Sequence, residues 1–571
     1  MKKYLFLILC AVMLCFTLSA CSLFCEHEFG AWETVKSSTC IEKGEKAHTC
    51  TVCGKKETEK LELSEDHEVD EKQICKLCGN LIYEEITLLN EHLRLIGYTG
   101  QSEFEIPSVF QDNDGKHYKV VAIGEGLFHG DDRIYELTIP ESVERIEHGA
   151  FAYCTNLGGV VLPDTAIRIG SRAFDDTDLY TNKEYRDSDG CLYVGNHLIV
   201  AANGMAGDYN VKPGTITIAG SAFFNCPYLK NVTLPESLKL IGNDAFSLCR
   251  GITEITLPKG LEKIEAGAFA NCSISNIVIP EEITSMENGV FEGNNFTSVI
   301  LPDSVTRIGD DAFKNCYSLN SIVFPKNLTH IGKAAFDRCY KLDGIAIPDS
   351  VISIGENAFK DTVVYVNEAN WENDALYIGK HLVNVKNTVS GKFTVKEGTL
   401  SVAGGVFREC HGIDEVIIPE GVKIIGNSTF ENCSKLKSVT LPKGLISIGA
   451  SAFMFCEKLK VISIPDTVVS IESSAFMGCF ILNELVIPNG VKVLQNSLFS
   501  RCDALTKITI PSSVKEIEAH VFLHCHSLTT IEFQGTTEQW NNIIKCTDRD
   551  LEWNQRTGIY TVVCTDGTIK K

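Results

Sequence analysis

Cysteine carries most of the reactive chemistry in this chain. There are 24 cysteines, and their spacing sorts them into sets. Cys50-x-x-Cys53 and Cys75-x-x-Cys78 form two knuckles, each followed by a glycine (Gly54, Gly79), with 21 residues between them. Two such knuckles can supply four thiolates to a tetrahedral zinc, a closed and therefore structural site. In an oxidising exterior the same thiols can instead pair as disulfides. A metal would supply folding energy to a short, Glu- and Lys-rich segment with little core of its own. The second set recurs in one phrase, Ala-Phe-x-x-Cys or a close variant: Cys154, Cys226, Cys249, Cys272, Cys316, Cys339, Cys410, Cys433, Cys456, Cys479, Cys502 and Cys525. Side chains at equivalent positions of stacked coils point the same way rather than at each other. These residues therefore read as unbridged thiols, packed as small hydrophobes. Asn294 and Thr362 stand in the same slot, where they can fill space and hydrogen-bond the turn but cannot bridge. Cys546 and Cys564, near the C-terminus, are open to either state.

Other reactive constellations are sparse. The sequence holds no Gly-x-Ser-x-Gly, no P-loop and no His-Glu-x-x-His. His520, His524 and His526 cluster near the end of the chain, and Asp131-Asp132 and Asp175-Asp176 are adjacent acids. All read as solvated loop residues before they read as ligands or acid–base groups. The expectation is that the chain is not an enzyme and uses no catalytic cofactor. A weaker alternative is a hydrolase in the C-terminal segment, with Trp540, Trp553 and Asp566 near a substrate. The formal charge of −22 argues against nucleic acid as a partner, because phosphate binding needs clustered Lys and Arg.

What positions these residues is a repeat. The phenylalanine of the phrase recurs at Phe128, Phe151 and Phe174, from Phe223 to Phe359, and from Phe407 to Phe522, mostly 23 residues apart with two steps of 22. The full unit is Leu-x-x-Ile-x-Ile-Pro-x-x-Val-x-x-Ile-Gly-x-x-Ala-Phe-x-x-Cys-x-x, as in Leu459, Ile462, Ile464, Pro465, Val468, Ile471, Ala475, Phe476 and Cys479. Alternating Ile462 and Ile464 predict a short strand with one face inward. Pro465 ends it, since proline has no N–H for a ladder. Val468 and Ile471 predict a second extended piece. A glycine such as Gly426 or Gly449 is expected to turn the chain with positive φ, although Glu472 and Glu518 stand at the same place. Ala-Phe-x-x-Cys then predicts a tight helical corner. One coil cannot bury its own apolar side, but stacked coils can. The steps from Phe174 to Phe223 and from Phe359 to Phe407 are about two periods long. Each predicts one irregular extra coil, near 176–218 and 361–402, with matching phrases at Leu192–Leu198 and Leu376–Leu382. The expected fold is a β-rich leucine-rich-repeat solenoid of short parallel strands in about eighteen coils.

From about residue 85 onward the repeat resembles the BspA-like leucine-rich repeat surface proteins. The opening Ile96-Gly97-Tyr98-Thr99-Gly100 resembles the start of their arrays. Phe533-Gln534-Gly535-Thr536, Trp540 and Cys564-Thr565-Asp566-Gly567 resemble their terminal cap. The resemblance implies an extracellular adhesion or binding role. At the N-terminus, Lys2 and Lys3 precede an apolar run from Tyr4 to Thr17, too short to span a bilayer comfortably. Leu18-Ser19-Ala20-Cys21 resembles the lipobox of bacterial lipoproteins, which implies cleavage before Cys21 and acylation of its thiol. The knuckle segment is similar to small zinc-ribbon-like modules with His and Trp upstream. Here those are His27, Trp32 and Cys40, with His67 for the next copy, and the similarity implies a second grouping of ligands, with Cys40, Cys50, Cys53 and a His in one site.

These readings divide the chain into a lipoprotein signal (1–20), a zinc-ribbon-like cysteine-knuckle module (21–80), the solenoid (81–530) and a C-terminal cap (531–571). The expected function is binding of an extracellular protein or polysaccharide by a chain lipid-anchored on the outer face of the cell membrane. The outward strand positions Thr233, Thr256, Thr440, Ser463 and Thr509, with Val278, are the expected contacts, a flat and mostly polar ladder. The alternative is a structural spacer with no ligand of its own.

Overall fold

The computed structural model describes residues 106–111, 117–202, 204–546, 553–554 and 557–570, with the backbone of five further strands between 33 and 97. The chain divides into two compact units, one of Met1–Pro163 with Ala173–Thr181, the other of Asp164–Arg172 with Asn182–Lys571. The fold is a parallel-strand solenoid of about 18 turns, as the repeat predicts.

In the first unit, Glu33–Lys36, Glu45–Thr49 and Lys56–Lys60 form a three-stranded antiparallel sheet. Ile82–Thr87 pairs antiparallel with His92–Gly97, and that strand pairs in parallel with His117–Ile123. Regular coils follow. Glu136–Thr138 lies parallel to Gly159–Val161, and the rings of Phe128, Phe151 and Phe174 stack at 5.0 and 5.5 Å between centroids. Cys21, His27, Cys40, Cys50, Cys53, His67, Cys75 and Cys78 all lie outside the described residues.

In the second unit the regular coils stack through two parallel ladders. In one, Ser298–Ile300 pairs with Ser321–Val323, so that Ile300 stands beside Val323. In the other, Ile241 pairs with Ile264. Pairing partners lie one repeat apart in sequence, so the repeated core side chains meet their own kind in the next coil. The phenylalanines show this best. Phe223, Phe246 and Phe269 stack at 4.8 and 5.3 Å with nearly parallel planes, and the rings from Phe407 to Phe522 do the same. Offset-stacked rings at this spacing add about 0.5–1.5 kcal/mol per pair beyond the area they bury.

The corner is not helical. In the coil 242–249, the N–H groups of Ala245, Ser247 and Cys249 donate to the carbonyls three residues back. Those of Asp244, Phe246 and Leu248 donate instead to Ala266, Ala268 and Ala270 of the next coil, at 2.8–2.9 Å. Alternate residues thus serve the turn and the stack, whereas a helix would send every N–H back along its own chain. The alternation needs two left-handed residues per corner, four apart, such as Ser428 and Asn432, or Ser451 and Phe455.

The glycine before the corner has a different role from the one expected. Neither Gly426 nor Gly449 has positive φ. A Cβ on Gly449 would lie 2.7 Å from the backbone N of Asn427, and one on Gly332 would lie 2.4 Å from that of Asp310. Glycine here lets successive coils approach, and the turning is done two residues later.

Both irregular coils are antiparallel hairpins set into the stack: Leu192–Val194 with His197–Val200, and Ala375–Ile378 with His381–Val385. They share a frame. Asn182 and Asn367 each cap a short 3-10 turn. The hydroxyls of Tyr193 and Tyr377 accept from the N–H groups of Lys212 and Lys396, whose ammonium groups lie 4.2 and 4.6 Å from the ring centroids. His197 and His381 are buried at equivalent places, and His381 Nδ1 is 2.8 Å from Ser401 Oγ. The second hairpin also separates two apolar cores. Leu376, Ile378 and Val383 belong to the core reaching back to Cys191, while Ala375, Leu382 and Val385 belong to the core reaching on to Cys564.

Candidate binding surface

The outward positions of the first ladder are the obvious place for contacts. Thr233, Thr256, Thr440 and Ser463 are exposed there, as expected. Thr509 is not: it is 8% exposed, and its hydroxyl donates to Glu532 of the next coil at 3.2 Å. The ladder is also not polar throughout. Val278, Ile300 and Val323, on three successive coils, are 83%, 70% and 57% exposed. Elsewhere the outward rungs carry ion pairs between coils, including Lys392 with Glu415 at 3.0 Å and Lys507 with Glu532 at 2.7 Å. The centre of the ladder is therefore an aliphatic strip of branched side chains held at one-coil spacing.

A cleft lies beside the second irregular coil. It is open, about 580 Å³ in volume, and lined by residues drawn from four chain segments: Glu356; Tyr365 and Trp371; Asn384 to Thr388; and Gly405, Val406, Arg408 and Glu409. Thr362 caps the turn Val363–Val366 and so sets Tyr365 in place. The Trp371 indole N–H donates to the Tyr365 carbonyl at 2.8 Å, and the two rings meet edge to face at 5.5 Å. Lys386 Nζ lies 5.2 Å from the Trp371 ring centroid and 2.6 Å from the Glu368 carboxylate, which holds the ammonium above its ordinary pKa. Arg408 spans Glu356 at 3.1 Å and Glu431 at 3.3 Å. Burial pushes the Tyr365 hydroxyl up, so it stays a protonated donor.

The remaining residues singled out by type are structural where they are described. The repeat cysteines are free and buried. Most donate Sγ–H to the phenylalanine carbonyl of the preceding coil, as Cys249 does to Phe223 at 3.0 Å and Cys456 to Phe430 at 3.2 Å. Asn294 makes the same bond to Phe269 at 2.8 Å, and Thr362 bonds Phe359 within its own coil at 2.7 Å. Burial raises most of the repeat thiols, to about 12 for Cys316 and Cys479, so the raised ones are neither nucleophiles nor ready metal ligands, while a hydrogen bond with Cys249 lowers Cys226. Cys546 and Cys564 are also free. His524 and His526 contact each other edge to face, and no group of three or more metal-binding side chains occurs among the described residues. Asp131 is paired with Arg133, and Asp132 accepts from the Thr155 hydroxyl at 2.6 Å. Trp540 and Trp553 are buried against Phe533, Phe522 and each other, and Asp566 accepts from the Thr537 N–H at 2.7 Å. The trio offered for a hydrolase closes the end of the stack. No helix among the described residues is long and apolar enough to cross a membrane.

The family described as "BspA type Leucine rich repeat region" matches in 6 copies within residues 120–188, 216–343, 284–388, 306–437 and 423–544. Among solved structures, the chain is similar to a leucine-rich repeat protein from Bacteroides ovatus, at 24% identity over 85% of this chain and 99% of that one, with a TM-score of 0.28. It is similar to a leucine rich cell surface protein from Faecalibacterium prausnitzii, at 22% identity over 85% and 99%, with a TM-score of 0.26. It is also similar to the pneumococcal vaccine antigen PcpA, at 16% identity over 86% and 99%, with a TM-score of 0.24. No curated protein matches the chain.

Proposed function

The chain belongs to the BspA-type leucine-rich repeat family, and from that premise we propose that it is a non-enzymatic binding protein of the cell surface. The chain is held to the outer face of the membrane through acylated Cys21. Its solenoid engages an extracellular protein or polysaccharide, and the outward strand ladder makes the contact. The knuckle cysteines Cys50, Cys53, Cys75 and Cys78 hold a structural zinc that stiffens the stem between lipid and repeats.

The observation that carries this reading is the exposed strip of Val278, Ile300 and Val323. A monomer gains nothing by holding branched aliphatic side chains in water on successive coils, and contiguous apolar patches rimmed by polar residues mark interaction surfaces. A partner would cover the strip and add the neighbouring threonines as polar rim. The test is binding of the purified full chain to matrix proteins, mucins and cell-wall polysaccharides, beside a variant carrying Val278→Lys, Ile300→Lys and Val323→Lys. At least a tenfold loss of binding, with an unchanged melting curve, is expected. Equal binding by the variant would remove the strip as the contact surface, and no binding by either chain would sink the reading as a whole.

A further inference from the structure

The cleft beside Trp371 has no part in folding that the other irregular coil does not manage without. The two irregular coils are two versions of one element, which provides an internal comparison. Their framing residues correspond: Asn182 with Asn367, Tyr193 with Tyr377, His197 with His381 and Lys212 with Lys396. Most of the residues that line the cleft do not, although Tyr365 has a counterpart in Tyr180 and Asn387 in Asn203. Where the second coil has Trp371, the first has Arg186, whose guanidinium bonds the Gly190 carbonyl at 2.9 Å within its own hairpin. Where the second has Asn384, Lys386 and Arg408, the first has Val200, Ala202 and Phe224. The frame therefore does not require these side chains.

Their chemistry points to one kind of ligand. The Trp371 indole is fixed at its N–H by the Tyr365 carbonyl and along its edge by the Tyr365 ring, yet it is only partly buried. That is a rigid apolar platform at the wall of a cleft. Around it, the Tyr365 hydroxyl, the Asn384 and Asn387 amides and the Thr388 hydroxyl make no hydrogen bond to any described residue of the chain. Amides and hydroxyls both donate and accept, which matches a ligand whose groups do the same. The two cations of the cleft are already committed: Lys386 to Glu368 and Asp374, and Arg408 to Glu356 and Glu431. An anionic ligand would have to break one of these pairs, whereas a neutral one would not. At about 580 Å³ the cleft is within the size range of small-ligand sites.

We propose that this cleft is a saccharide subsite, in which a neutral sugar packs a C–H face against Trp371 while Asn384 and Thr388 bond its hydroxyls. This deepens, and rests on, the reading of the solenoid as a binding protein. The ring supplies contact area at little entropic cost, because it is already immobile. The amides read the orientation of the hydroxyls, and the closed ion pairs exclude anionic polymers.

The experiment uses the full chain, purified in a detergent without a sugar headgroup. The probes are neutral oligosaccharides of glucose, mannose, galactose and N-acetylglucosamine, sialylated and sulfated oligosaccharides, and the matrix proteins used above. Binding and tryptophan fluorescence are read together. At least one neutral oligosaccharide should bind and change the fluorescence. Trp371→Ala and Asn384→Ala should each weaken it tenfold or more, and Arg186→Ala in the other irregular coil should leave it unchanged. Asn384→Ala keeps the test sharp if Trp371→Ala melts early. Binding of anionic sugars alone, equal binding by both variants, or retention of no saccharide would each overturn the inference. A chain that holds a matrix protein through the strip but no saccharide would lose the inference and keep the reading. A chain that holds neither would lose both.

Discussion

At the scale of single residues, the repeat cysteines tie one coil to the next. In most coils the phenylalanine carbonyl accepts the N–H of its own coil's cysteine and the Sγ–H of the following one, as Phe430 does from Cys433 at 3.1 Å and Cys456 at 3.2 Å. The thiol both fills the slot and satisfies a second lone pair. Alanine would fill it incompletely and make no bond, while asparagine and threonine do both. That much was legible from the spacing, because any residue repeated in register in a parallel stack must pack on its own copy. The pH behaviour follows from burial. An unfolded thiol releases its proton near pH 9.0, whereas Cys479 holds its proton to about 12 and Cys456 and Cys502 are raised well above 9.0. The stability these thiols confer is therefore complete below about pH 9 and is lost as the pH rises further. The loss is about 1.4 kcal/mol per thiol per pH unit. Denaturant midpoints should fall steeply between pH 9 and 11, and Cys479→Ala should flatten the slope by one thiol's share. A stability curve flat across that range would contradict the account.

At the scale of elements, sequence and structure part at the corner. Ala-Phe-x-x-Cys has the three-to-four-residue apolar spacing of a helix, and periodicity cannot distinguish a helix from a turn run that sends alternate N–H groups to the neighbouring coil. The glycine was misread for a related reason. A conserved-looking turn invites positive φ, but at Gly426 and Gly449 the constraint comes from the coil before, which no local reading contains. If close approach is what matters, Gly449→Ala should destabilise its coil by about 1–3 kcal/mol as the backbones are forced apart. Ser451→Gly, at a genuinely left-handed position, should be tolerated. Hydrogen exchange of the amides from 446 to 456 would separate the two. Unchanged protection in Gly449→Ala would contradict the close-approach account. Thr509 is buried for an equally non-local reason, since Glu532 of the next coil reaches back over it. The cleft was likewise invisible, its walls coming from segments up to about fifty residues apart. The signal that was present is the mismatch between two otherwise matching inserts, Trp371 against Arg186.

At the scale of the whole molecule, a stack needs ends. The last coils are closed by Thr561–Val563, which continues the parallel ladder, and by Thr568–Lys570, which pairs antiparallel and stops it. Trp553 lies edge-on against Phe522, and its carbonyl accepts from the Phe522 N–H at 2.9 Å. The need for such a cap was legible from the repeat alone, but the way Trp540 and Trp553 interlock was not. Trp553→Ala should cost about 3–5 kcal/mol. In a chain whose coils are stabilised mainly by their neighbours, that loss should stay local. Proteolysis should then trim from the C-terminus toward Phe499 while the coils around Phe246 resist. Cooperative loss of the entire array would mean that the coils are more strongly coupled than their contacts imply.

The hairpin of residues 375–385 faces one core with Leu376 and Val383 and the other with Ala375 and Leu382. It works as a bulkhead does in a hull. Coils on either side share a wall but not an interior, so a breach that lets water into one compartment need not flood the next. Under proteolysis, the unit of survival is then the compartment rather than the chain.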